Sequence, residues 1–97
     1  MNAERTTVFL MANLGSEMAR FFRLKKQGRL DLAKGAASRA QKIIESICDQ
    51  AEPGARAETL LIKEVLDDAQ TNTPRYVISE QDLNSYFAPF AQRILTK

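Results

Sequence analysis

Residues 30–50 read LDLAKGAASRAQKIIESICDQ, and their spacing decides the fold. Leu30, Ala33, Ala37, Ala40, Ile44 and Ile47 recur at alternating steps of three and four. That spacing lines them up along one side of an α-helix, a seam made to pack on one neighbouring helix. Three of the six are alanines, so the neighbour can come close and must fill the space with large side chains.

Upstream, residues 3 to about 26 supply that neighbour. Met11, Leu14, Met18 and Phe21 fall on one helical face, widened by Leu10 and Phe22. Gly15, beside Ser16, either loosens the helix or lets another backbone come close. Gly28 follows Lys25-Lys26-Gln27 as a helix stop, with bases in the last turn where the dipole is negative. A short turn at 27–29 makes the two helices an antiparallel hairpin.

Downstream, Glu52-Pro53-Gly54 ends the second helix. Residues 55 to about 70 form a third, with Leu61, Ile62, Val65, Leu66 and Ala69 as its apolar face. Thr71-Asn72-Thr73-Pro74 is a loop, and 75–78 reads as a short extended segment. Ser79 to Asp82 has the form of a capping box. The fourth helix places Leu83, Phe87, Phe90 and Ile94 on one face, with Pro89 expected to kink or divide it. The prediction is all-α: one small four-helix bundle over residues 1–97, built from two helical hairpins, with a Pro-kinked C-terminal helix.

Gly28, Leu30, Ala33, Ala37 and Ala40 give the second helix a glycine–large–alanine–small–alanine order. This resembles the second helix of a tetratricopeptide-type hairpin, and is similar to microtubule-interacting-and-trafficking helices. The likeness covers one repeat, residues 12 to 47, with no second copy at a fixed period. It implies a helical hairpin whose outer face holds a peptide.

Composition narrows the chemistry. The chain has no histidine, the side chain most used for acid–base work near neutral pH and for binding metals. Its lone cysteine, Cys48, forms no internal disulfide and has no histidine base to activate it, so it reads as a small core residue. The apolar run 8–12 is too short to span a membrane. The expectation is a cytoplasmic protein that is not an enzyme and uses no cofactor or metal.

Charge is segregated. Arg20 to Lys42 holds eight bases and one acid, Asp31, whereas Ile43 to Ala69 holds seven acids and two bases. The split runs along the second helix itself, basic first and acidic last, the reverse of what its dipole favours. Something outside that helix must offset the charge at its ends. Arg20, Arg23, Lys26, Arg29 and Lys34 form a candidate surface for an anionic partner. The competing reading pairs these bases with acids of the third helix. Glu64, Asp67 and Asp68 are spaced to hold a cation only with help from elsewhere, and read better as surface acids. Tyr76, Tyr86 and Phe90 are candidates for a partner groove, against the alternative that the C-terminal aromatics fill the core. These features point to a protein–protein interaction module or a self-associating one, a homodimer included. The second-ranked reading is nucleic-acid binding through the 20–42 hairpin.

Overall fold

The computed structural model describes the backbone of residues 3–50 and 52–95, and the side chains of 7–50, 52–79 and 81–89. The chain forms α1 (Ala3–Lys26), α2 (Leu30–Gln50), α3 (Pro53–Ala69) and α4 (Glu80–Leu95), with no strand among the described residues. It is the expected all-α bundle. The 75–78 segment joins neither a helix nor a strand, and its Ile78 packs partly buried against the core.

Each helix end has a local cause. Gly28 takes φ +77°, the left-handed region that favours glycine. The Arg29 N–H donates to the Leu24 carbonyl at 2.9 Å and the Gly28 N–H to the Lys25 carbonyl at 3.0 Å, a Schellman closure of α1. Pro53 opens α3, two residues earlier than the spacing predicts, because proline's missing N–H costs nothing in a first turn. At α4, the Asp82 N–H donates to Ser79 Oγ at 3.0 Å and the Ser79 N–H to Asp82 Oδ2 at 3.2 Å. That is the reciprocal capping box read from the sequence.

The alanine seam packs as predicted. Met11, Leu14, Met18 and Phe21 of α1 are buried with Ala33, Ala36, Ala37, Ala40, Ile44 and Ile47 of α2. Leu30 departs from the seam and is 60% exposed. It is the first residue of α2, opposite the point where α1 has already ended, so the seam has nothing left to pack on. On α3 the inward residues are Thr59, Ile62, Leu66 and Ala69, while Leu61 is 63% exposed. Thr59 is tolerated in the core because its hydroxyl donates to the Ala55 carbonyl at 2.7 Å.

The acidic C-terminal end of α2 also finds its offset. Arg56 Nε donates to the Cys48 carbonyl at 3.0 Å, placing a cation on the acidic C-terminal turn of α2. In the same manner Lys25 Nζ donates to the Ala69 carbonyl at the end of α3.

α1 packs against both α2 and α4, and α2 packs against α3. α4 closes on α1 at Gly15, where a Cβ would lie 2.6 Å from Phe87 Cγ. Leu83 and Phe87 are buried there as expected. Pro89 lies inside α4 without dividing it. The side chains of Phe90 and Ile94 fall outside the described residues. Among the described residues, α3 and α4 share no interface comparable to those of α1 with α2, α1 with α4 and α2 with α3, which leaves that side of the bundle open.

Candidate binding groove and arginine cleft

The open side is a groove of about 370 Å³. Leu61, Ile62 and Val65 of α3 form one wall, Leu83, Tyr86 and Phe87 of α4 the other, with Ile78 at one end and Met18 of α1 also lining it. Each helix spends its most apolar face on another neighbour: Leu83 and Phe87 of α4 are buried against the core, as are Ile62 and Leu66 of α3. The residues beside those faces border the gap. Two acids, Glu58 and Asp82, stand among this apolar lining.

A hydrogen bond bridges the gap. The Tyr86 hydroxyl donates to a Glu58 carboxylate oxygen. Burial, the hydrogen bond and the charge of Glu58, in that order, push the Tyr86 phenol well above its ordinary range. Its ring meets Phe87 edge-on, with centroids 4.9 Å apart.

The α3–α4 connection is held by Asp68. Its carboxylate accepts the Arg75 N–H at 3.0 Å on each oxygen and the Tyr76 N–H at 3.0 Å. The Arg75 guanidinium lies 3.7 Å away. The two backbone donors, Arg75's first, hold the Asp68 carboxyl below the usual carboxylate range. The other acids of the α3 cluster are also engaged. Lys63 pairs with Asp67 at 2.6 Å, and the Tyr76 hydroxyl donates to Glu64 at 3.0 Å. Among the described residues, no group of three or more acids, cysteines or histidines is placed to hold a metal ion.

Of the aromatic candidates, Tyr86 lines the groove and is 38% exposed. Tyr76 does not line it; it turns to Glu64, with the Arg75 guanidinium 5.6 Å from its ring. The Phe90 side chain is outside the described residues. Sequence reasoning missed Leu61, Ile78 and Met18 as groove residues. Periodicity places Leu61 on the apolar face with Ile62 and Val65, and does not say which neighbour is absent.

The basic candidates divide. Arg20, Arg23 and Arg29 line a cleft of about 440 Å³ on the α1–α2 hairpin, joined by Arg39. Lys26 and Lys34 are exposed but do not line it. The acid that organises this region precedes the basic block. Glu17, whose side chain is 10% exposed, accepts from Arg20 Nη1 at 2.8 Å and from Arg39 Nε. Arg20 and Arg39 thus find a partner in α1, not in the acids of α3. Cys48 is half-buried against the core.

No family model, curated protein or solved structure matches this chain. Fold and sites define its class: an all-α four-helix bundle with one open apolar side and an arginine-lined hairpin. No described helix is long and apolar enough to cross a membrane.

Proposed function

We propose that this chain is a protein-binding module whose α3–α4 groove receives an apolar segment flanked by bases. The observation that carries this reading is the open groove itself, with Leu61 63% exposed beside an apolar lining. Exposed large apolar residues that border a preformed concavity mark interaction sites. The acids Glu58 and Asp82 favour a partner whose apolar anchors sit next to lysine or arginine. A second copy of the chain carries that chemistry too: Leu30 is exposed next to Arg29 and one helical turn from Lys34.

Selection of a random peptide library on the folded protein tests the reading. The expected result is enrichment of peptides with leucine- or phenylalanine-type anchors beside bases, and loss of that enrichment in Leu61→Asp. Enrichment that Leu61→Asp leaves unchanged contradicts the proposal. Sedimentation across a concentration series with increasing salt then separates self-association from binding of another protein.

A further inference from the structure

We propose that the α1–α2 hairpin carries a second binding site, for a compact phosphate-bearing ligand, in the cleft framed by Arg20, Arg23, Arg29 and Arg39. This site is separate from the α3–α4 groove and does not depend on the function proposed for it.

The cleft is built rather than incidental. Glu17 is nine-tenths buried between the two helices and engages one arginine with each carboxylate oxygen. Each guanidinium has five donors, so a bond to Glu17 leaves most of them available. Arg39 uses Nε for this, which leaves both of its Nη groups. Nη1 lies over Gly35, where a Cβ would be 3.4 Å away. Glu17 is thus a positioning residue that orients two guanidiniums, and Gly35 keeps the space beside one of them open. Planar forks held in this way suit an oxyanion better than mobile lysines do.

Charge and shape set the ligand class. Arg20, Arg23, Arg29 and Arg39 line the cleft beside Asp31, and Arg20 and Arg39 each keep donors beyond the one that Glu17 engages. A phosphomonoester, at about −1.5 to −2 near pH 7, is the kind of anion such forks recognise. Leu24 and Leu32 line the same space, and Leu32 is substantially exposed. They offer a surface to an apolar or aromatic body attached to the phosphate. A volume of 440 Å³ is within the range of small-ligand pockets. A nucleic-acid strand would want a track of bases following its backbone, and Lys26 and Lys34 lie outside this cleft.

The test is titration of the full chain with adenosine 5′-monophosphate, read on the arginine Nε–H NMR signals and by calorimetry. Saturable one-to-one binding is expected, with shifts at Arg20 and Arg39. Adenosine and inorganic phosphate should each bind at least about tenfold more weakly. Gly35→Leu fills the cleft with a better helix former, so it should weaken binding at least about tenfold without lowering the melting temperature. Arg39→Lys keeps the charge but loses the fork, and should weaken binding similarly. Leu61→Asp should leave it unchanged, which separates this site from the groove. Absence of saturable shifts overturns the proposal, as does binding that neither Gly35→Leu nor Arg39→Lys weakens. Affinity that grows with the length of a single-stranded oligonucleotide, with no one-to-one mononucleotide binding, also overturns it in favour of nucleic acid.

Discussion

At the scale of single residues, Gly15 holds α4 in place by what it lacks. A Cβ there would lie 2.6 Å from Phe87 Cγ and 2.7 Å from Phe87 Cβ. The second atom is fixed to the backbone of α4, so rotating the phenyl ring cannot relieve the clash. Replacing glycine by alanine in a helix gains about 1 kcal/mol of propensity, and overpacking costs about 1–3 kcal/mol. Gly15→Ala is therefore expected to lower the melting temperature. In a Phe87→Gly background, which removes that Cβ as well as the ring, the same substitution should raise it, because only the propensity gain remains. A melting temperature unchanged or raised by Gly15→Ala alone would contradict this packing. The sequence marks Gly15 as a site of helix loosening or of close approach, and does not reveal what approaches. Glu17 was less legible still: its role requires Arg39, which lies 22 residues further along and reaches it only through the hairpin.

At the scale of elements, the critical joint is the 70–79 connection, which sets where α4 begins. Its anchor is Asp68, whose carboxyl titrates below its ordinary value because it accepts backbone N–H groups from Arg75 and Tyr76. The folded pKa lies below the unfolded value of about 3.9. The stabilisation is therefore fully present above the unfolded pKa and is lost as pH falls through the folded one. Asp68→Asn should speed amide exchange at Arg75 and Tyr76 at neutral pH, and should flatten the loss of stability on acidification below about pH 4. Unchanged exchange at those two amides would show that the loop is held by other contacts. The helix ends themselves were readable from the sequence. Gly28 and the Ser79–Asp82 box depend only on residues within a turn of one another. The Asp68 anchor spans seven residues of irregular chain, and no periodic pattern encodes it.

At the scale of the whole molecule, the alanine seam made the α1–α2 hairpin legible because it states both the contact line and the closeness of approach. It could not show that the bundle stays open on its fourth side. That opening arises because Phe87 seats on Gly15 and draws α4 onto α1, while Ile62 and Leu66 turn α3 to the core on another side. Leu61 then lies beside the gap between α3 and α4, which the Tyr86–Glu58 hydrogen bond bridges. The segregated charge also resolves only in three dimensions. Arg56 answers the acidic end of α2, and Glu17 gathers two arginines of the basic block.

The central claim is that the open side is a binding groove. Its most direct test is a methyl-detected NMR titration of the full chain with a helical peptide bearing leucines on one face and lysines on the other. The account predicts saturable shifts concentrated at Leu61, Ile62, Val65, Ile78 and Leu83, abolished by Leu61→Asp and greatly reduced when glutamates replace the peptide's lysines. No saturable shift at roughly 1 mM peptide, or shifts centred elsewhere in the bundle, would contradict it.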